Sequence, residues 1–488
     1  MKTDDLPRRD VEMVTHPFAF FLSYKKAVAL AIWLVSAVMV PYAVAQFPDT
    51  TVTKPPEAGA PDDTPLTMLP HLPEGRYWVS GQSNFIYQTN PPFYADYSGP
   101  NSFRPYHERA NGRVLTLYTG LQLMKSAEVL VDFEEAGGLG LSGGLGLAGY
   151  TNLDAVRDAT LSQAPYLSRL MYHQIIGFSH DTIDGDRGPL STFSRLPSRR
   201  LELRIGKVGI TDFFDTNSVG SDSHLQFLNY AINQNVAYDF TADDRGYTWG
   251  VLAEYQCPKW GLRFAEALLP GPENGGPLVW NLRKANSSQG EFEVHRGPLR
   301  KKDGTIRLLA YVNNGNMGIY RVAIEQYLQG KVTQPDIGNH PLQVTSKYGF
   351  GINVEQPVNT NLAIYGRFGW NNGKTESWVF TEADQTFSGG IGALGPMWRR
   401  KFDRAGIAFA TNGISSEHAQ YLALGGLGFV LGDGRLKYGR ENLMDSYYTA
   451  HIWRGIFLGP DLQFLVNPGY NQARGPVVVP SARVHLEF

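Results

Sequence analysis

Polar and apolar residues alternate one by one along much of this chain. The last stretch, Ser481-Ala482-Arg483-Val484-His485-Leu486-Glu487-Phe488, shows the pattern most plainly. Ala482, Val484, Leu486 and Phe488 fall on one face, and Arg483, His485 and Glu487 on the other. Period two predicts a β-strand. The pattern recurs upstream, and the strand candidates are 78–88, 114–123, 128–134, 167–178, 201–210, 236–240, 247–255, 260–268, 289–296, 305–313, 347–355, 361–370, 378–391, 406–411, 446–454, 457–467 and, with this last stretch, 478–488. These come to sixteen or seventeen strands with little helix between them. A soluble sandwich could carry the same pattern with its apolar faces in a core. A chain that stops on a strand, at an aromatic residue, instead suggests a barrel sealed by its last strand, because terminal residues are otherwise loose. In an outer-membrane barrel the apolar face meets lipid and the polar face meets the lumen, and strand numbers are even. The pattern therefore predicts an all-β, antiparallel transmembrane barrel of about sixteen strands, with eighteen as the alternative.

The interruptions predict the rest. Residues 47–74 carry Pro48, Pro55, Pro56, Pro61, Pro65, Pro70 and Pro73 among small and charged residues, as an extended periplasmic arm would. Residues 137–150, rich in glycine and leucine, do not alternate and read as a loop packed somewhere, the lumen included. Residues 152–163 suggest a short helix capped by Asn152. At the start, Arg8, Arg9, Lys25 and Lys26 precede an apolar run over 27–40, Pro41, and Ala43-Val44-Ala45. That is the layout of an export signal cleaved before Gln46, with Met13 as an alternative start. An uncleaved anchor is the other reading, although a spanning helix needs about 17 apolar residues. The expected organisation is a signal over 1–45, an arm over 46–74 and a barrel over 75–488.

Composition narrows the class. The mean hydropathy, −0.25, resembles that of a soluble protein, but barrel strands are half polar and give a weak hydropathy signal. Glycine (53), tyrosine (25) and phenylalanine (26) are abundant, as bends and interfacial girdles require. Cys257 is the only cysteine, which excludes an intrachain disulfide scaffold. A formal charge of −2 gives no reason to expect a nucleic-acid partner.

The alternation also says which charges face inward. Leu201, Leu203 and Ile205 turn Glu202 and Arg204 to the opposite face. Trp260, Leu262 and Phe264 oppose Arg263. Phe292 and Val294 oppose Glu291, Glu293 and His295. Ile306 and Leu308 oppose Arg307, and Leu362, Ile364 and Phe368 oppose Arg367. Inside a barrel, Glu202, Arg204, Arg263, Glu293, Arg307 and Arg367 become candidates for solute contact. A guanidinium offers five donors in fixed geometry, and a neighbouring carboxylate offers acceptors. Mixed signs argue against a strongly ion-selective pore and suit a neutral, hydroxyl-rich solute. Trp249, Trp260 and Trp370 share faces with aliphatic residues and suit the girdle better than a sugar platform.

Several stretches resemble the carbohydrate-selective porin (OprB) family of Gram-negative outer membranes. They are Gly206-Lys207-Val208-Gly209-Ile210-Thr211-Asp212-Phe213-Phe214-Asp215, Asp244-Arg245-Gly246-Tyr247-Thr248-Trp249-Gly250, Gly373-Lys374-Thr375-Glu376-Ser377-Trp378 and Gly425-Gly426-Leu427-Gly428-Phe429. Asp433-Gly434-Arg435-Leu436, Asn467-Pro468-Gly469-Tyr470-Asn471 and Arg474-Gly475-Pro476 follow. Together they run from about Leu161 to Phe488. The resemblance implies passive diffusion of sugars past inward-folded loops, where arginines and a carboxylate meet sugar hydroxyls. No short motif marks those residues, and 317–344 matches less well, as an insertion at the pore mouth would.

Catalytic and metal chemistry find little support. Glu254 and Glu266 could pose as a glycosidase pair, but neither has a recognisable catalytic context. The histidines are scattered without metal-ligand spacing. Asp181-Thr182-Ile183-Asp184-Gly185-Asp186 lacks the closing glutamate of a calcium loop and reads as a surface turn. The sequence thus predicts a non-enzymatic outer-membrane porin without cofactor or metal. Its expected partners are permeating sugars such as glucose, outer-membrane lipid, and the barrel-assembly machinery reached through the strand ending at Phe488. An exported polysaccharide-handling protein, whether export barrel, periplasmic lectin or glycoside hydrolase, is the alternative.

Overall fold

The fold is given by a computed structural model, which describes residues 66–71, 74–156, 160–298 and 304–488. The expected signal at 1–45 and most of the arm lie outside the described residues. Strands are β1 (Tyr77–Asn90), β2 (Glu108–Met124), β3 (Ala127–Gly137), β4 (Tyr166–Gly177), β5 (Thr182–Asp184), β6 (Arg195–Pro197), β7 (Arg200–Val208), β8 (Thr248–Cys257) and β9 (Trp260–Ala267). They continue as β10 (Asn286–Val294), β11 (Thr305–Gly315), β12 (Thr345–Asn359), β13 (Leu362–Asn371), β14 (Gln385–Leu394), β15 (Arg404–Gly413), β16 (Glu441–Trp453), β17 (Ile456–Val466) and β18 (Val477–Glu487). Sixteen of them close into one antiparallel barrel, while β5 and β6 form a separate hairpin within the β4–β7 connection. The barrel seals where β1 pairs with β18, with Phe85 opposite Val484 and Gln82 opposite Glu487. The Phe488 N–H extends the seam by donating to the Gly81 carbonyl at 2.8 Å.

The alternation sorts the faces as the sequence implies. In β18 Val478 and Val484 are exposed, while Val479, Arg483 and His485 are buried. In β7 Ile205 is exposed and Glu202 and Arg204 are buried. A barrel has no free edge, so every strand's backbone is paired while its outer side chains face lipid. At one end of the barrel most connections are short, Pro258-Lys259 between β8 and β9 and Arg454-Gly455 between β16 and β17 among them, with the β4–β7 connection over 178–199 as the exception, and both termini of the barrel lie there. At the other end the connections are long, 209–247 and 316–344 among them. Short turns mark the periplasmic side and long loops the outer side.

Three expectations need correction. Residues 236–240, read as a seventeenth strand, pair with no strand; they belong to the β7–β8 loop, where Val236, Ala237, Tyr238 and Phe240 are buried. An apolar run that satisfies itself against the inside of a barrel looks the same as a strand in sequence. The strand expected from 378 begins only at Gln385, and Trp378 is buried in a loop with its indole N–H on the Pro270 carbonyl at 3.0 Å. The described residues of 152–163 contain no helix; Asn152 instead closes a turn by accepting from the Asp154 N–H at 3.0 Å.

The lumen is packed. Phe213, Phe214, Phe227, Tyr230, Ile232 and Val236 of the β7–β8 loop join Leu147, Ala148 and Tyr150 of the glycine-rich stretch in one buried apolar cluster. The stretch over 137–150 therefore packs inside, as one of its readings allowed. Its Ala148 N–H reaches across to the Glu441 carboxylate on β16. Short helices α1 (Tyr230–Asn233), α2 (Tyr320–Leu328) and α3 (Ser416–Ala423) sit in the loops. In the 317–344 segment α2 packs on α3 by stacking Tyr320 on His418, with ring centroids 4.3 Å apart.

Candidate functional site: the inward loop and its cavity

The loop over 209–247 runs around the inside of the wall and is tied to it strand after strand. Arg263 on β9 donates to the Phe213 carbonyl at 2.9 Å, and the Asp215 N–H donates to Glu291 on β10 at 2.7 Å. Arg367 on β13 pairs with Asp215 at 2.7 Å and also donates to the carbonyls of Asp215 and Ile232, each at 2.9 Å. Further on, Arg483 on β18 donates to the carbonyls of Ser223 and Gln226, and the Asn229 N–H donates to Asp445 on β16 at 2.9 Å. A loop inside a barrel must satisfy its backbone with wall side chains, and the wall supplies donors and acceptors in register with it. The closest approach falls at two glycines paired across β12 and β13. A Cβ at Gly369 would stand 2.0 Å from Asn235 Oδ1, and one at Gly351 2.9 Å from Asn235 Nδ2.

Between loop and wall runs a row in which basic and acidic side chains alternate. His173 on β4 bridges Glu128 at 2.7 Å and Glu202 at 2.8 Å. Glu202 pairs with Arg204, which reaches Glu254 at 2.8 Å. Arg263 joins Glu254 at 2.9 Å to Glu291 at 2.5 Å and Glu293 at 3.1 Å. Arg307 continues to Glu293 at 3.3 Å and Glu355 at 3.6 Å. All six candidates, Glu202, Arg204, Arg263, Glu293, Arg307 and Arg367, point inward, and five of them lie in one connected row. Arg367 stands apart, clamped on Asp215. Their side chains are 0–14% exposed, because the loop covers them. Glu254, weighed as half of a carboxylate pair, sits in this row, whereas Glu266 accepts from Asn286 and Ser288.

A cavity of about 480 Å³ remains between the loop and the β2–β4 wall. None of the six candidates lines it. Tyr118, Tyr150, Tyr166, Tyr230 and Tyr247 do, with Glu134, Asp154, Asp212, Arg169 and Arg245. Glu134 accepts from the Tyr166 hydroxyl and from the Tyr247 hydroxyl at 2.9 Å. Burial first, then the Glu134 carboxylate, raises Tyr247 well above the ordinary phenol range, so it stays a donor. Arg169 pairs with Asp132 and, at 2.6 Å, with Asp212. The Arg245 guanidinium lies 4.4 Å from the centre of the Tyr166 ring and donates to the Ser162 carbonyl at 2.5 Å. The His224 ring stacks on His485 with centroids 5.5 Å apart, and its Nε2 stands 3.8 Å from Asp154. The cavity thus offers phenol faces, guanidinium donors and carboxylate acceptors within the 300–1,000 Å³ typical of small-molecule sites, about. No cluster of metal-ligating side chains occurs among the described residues.

Alternation could not point to this cavity, since its lining combines strand residues such as Tyr118, Glu134 and Arg169 with Arg245 and Tyr247 from the β7–β8 loop. The quoted motifs do contain cavity residues: Asp212 falls in 206–215, and Arg245 and Tyr247 in 244–250.

A closed sixteen-stranded barrel narrowed by an inward loop is the architecture of an outer-membrane porin. The model of the carbohydrate-selective porin, OprB family, matches residues 101–488, and this chain belongs to that family. It is similar to Porin AaxA of Chlamydia muridarum, 21% identical over 297 residues, which cover 60% of this chain and 54% of that one. The chain thus spans about half the length of that curated relative. Among solved structures it resembles the high-pH structure of Pseudomonas putida OprB, with a TM-score of 0.64 and 15% identity over 85% of this chain and 94% of that one. That likeness extends the shared fold through most of the barrel.

Proposed function

We propose that this porin admits small neutral sugars by passive diffusion, and that they pass through the cavity between the 209–247 loop and the β2–β4 wall. Family membership supports the solute class. The observation that carries the route is the cavity's lining, where ring faces, donors and acceptors converge while the covered charge row does not border it. Sugar rings present an apolar face to an aromatic ring and a hydroxyl rim to Arg169, Arg245, Glu134 and Asp154. Each hydrogen bond to water is exchanged for one to the wall, so net binding is weak. Weak binding suits throughput, because a tightly held solute would block the channel. On this reading Glu202, Arg204, Arg263, Glu293, Arg307 and Arg367 act on permeation indirectly, by fixing the loop that shapes the cavity. Outer-membrane lipid covers the exposed band, and the assembly machinery engages the strand ending at Phe488. A closed barrel with a packed lumen gives no particular support to a lectin, a hydrolase or a polysaccharide exporter.

Planar-bilayer conductance tests the route. Glucose should reduce the current through single channels. Arg245→Gln together with Tyr166→Leu should weaken that block several-fold while the folded barrel still migrates normally on an unheated gel. Current that no sugar reduces removes the carbohydrate assignment, and a block unchanged by the double substitution removes the cavity as its site.

A further inference from the structure

Two carboxylates on the cavity wall lack a matching guanidinium or ammonium. Asp212 is neutralised by Arg169 at 2.6 Å and Asp222 by Arg404 at 3.4 Å. Glu134 accepts only from hydroxyls, those of Tyr166, Tyr247 and Thr116. Asp154 accepts from the Asn84 amide at 2.6 Å, and its one basic neighbour is the His224 imidazole at 3.8 Å. Among the described residues neither Glu134 nor Asp154 forms an ion pair with an arginine or a lysine. Both line the cavity, and the Asp154 charge is felt at Glu134. Arg245 lines it too, but its guanidinium is engaged by the Tyr166 ring and the Ser162 carbonyl.

Two hydroxyls complete the set. Ser168 on β4 and Tyr230 in α1 line the same cavity, are only 1% and 4% exposed, and leave their hydroxyls without a hydrogen-bond partner among the described residues. Buried polar groups are ordinarily hydrogen-bonded, so these two are placed to be completed by a solute. Neighbouring carboxylates repel one another, and enclosure makes a lone charge costly. A cation between Glu134 and Asp154 relieves both. An ammonium group carries three donors and no acceptor, enough for the two carboxylates and one of the orphan hydroxyl oxygens.

We propose that, among sugars, the cavity prefers one carrying a free ammonium group, with the nitrogen held by Glu134 and Asp154 and the ring hydroxyls met by Ser168, Tyr230 and Arg245. This preference rests on the cavity being the sugar route and names the solute class that the route favours. Neutral sugars still pass, through the weaker bonds of their hydroxyls. Acetylation of the amine removes the charge and two of the donors, and so removes the preference. A sugar acid adds a third carboxylate to the pair and is disfavoured.

The test compares sugars as blockers of single channels of the purified full-length porin in planar bilayers, at neutral pH and constant ionic strength. A charge-assisted hydrogen bond is roughly twice as strong as a neutral one, so glucosamine should halve the current at a concentration roughly fivefold below that of glucose. N-acetylglucosamine should act close to glucose. In Glu134→Gln/Asp154→Asn the concentrations for glucosamine and glucose should come together. Both replacements keep an acceptor for the phenols and for the Asn84 amide. If the double variant fails to migrate as a folded barrel on an unheated gel, Asp154→Asn alone must narrow the gap. Equal block by glucosamine and glucose in the wild type, or a gap that survives the substitutions, overturns the ammonium preference and leaves the sugar route standing. N-acetylglucosamine blocking as well as glucosamine overturns it too, since the gap would then follow size. Ethylammonium chloride blocking as well as glucosamine would mark a site for any small cation and overturn the choice of an amino sugar. Current that neither glucose nor glucosamine reduces overturns the route itself.

Discussion

Arg367→Met should release the inward loop without opening the barrel. Arg367 is fully buried and makes an ion pair with Asp215, hydrogen bonds to the carbonyls of Asp215, Ile232 and Asn233, and one to the Ser221 hydroxyl. Breaking a buried ion pair by removing one partner costs about 3–5 kcal/mol. Asp215 can escape part of that cost by taking up a proton, since burial already raises its pKa and Arg367, ahead of Asn353 and Arg307, is the largest influence opposing the rise. The expected cost is therefore near the lower bound, about 3 kcal/mol, or a shift of about a hundredfold toward a detached loop. The barrel itself should persist, because the backbone of β13 is paired with β12 and β14 whatever its side chains do. Single-channel conductance should rise, sugar block should weaken, and protease added from the loop side should cut within 209–247. Arg367→Met/Asp215→Asn should recover part of the wild-type behaviour by removing the stranded carboxylate. Wild-type conductance and an unchanged cleavage pattern in Arg367→Met would show that the clamp does not hold the loop.

Other consequences can be checked with the same preparations. Gly369→Ala should displace Asn235 and give a milder form of the Arg367 phenotype, visible as raised conductance. Leu203→Arg should cost about 2–4 kcal/mol in a denaturant titration because it sets a charge in lipid; Arg204→Leu should also destabilise, since it strands Glu202 and Glu254. Glu376, in the β13–β14 loop, accepts the Gly318 N–H; burial, opposed by that bond and reinforced by Glu273 and Glu382, raises its carboxyl from 4.5 to about 8. The folded loop then keeps a proton that a released loop gives up, so attachment is strongest below pH 4.5 and weakens as the pH rises to about 8. Hydrogen exchange over 316–344 should show that decline, and Glu376→Gln should flatten it; a flat wild-type profile would count against it. Deleting Phe488 should lower the yield of folded barrel in the outer membrane, because the β1–β18 seam loses its last backbone bonds at Gly81.

The sequence alone determined the wall. A period of two puts every second side chain on one face, and lipid on one side with a lumen on the other leaves no freedom in that assignment. That is why Leu203 and Arg204, or Leu262 and Arg263, could be sorted from the letters, and why the strand count came out at sixteen once 236–240 was set aside. The inside of the barrel is different. Glu202, Arg204, Arg263, Glu293 and Arg307 come from separate strands, and only closure of the sheet brings them into one row. Whether they meet water or protein depends on where the 209–247 loop goes. That loop has no period, and its apolar runs, Phe213-Phe214 and 236–240, carry the same letters as strand segments. Its path is set by contacts far apart in the chain, Arg367 with Asp215 and Arg483 with Ser223 among them. The cavity is what that path leaves over, so Arg169, Arg245 and Tyr247 acquire their common position only in the folded tertiary structure.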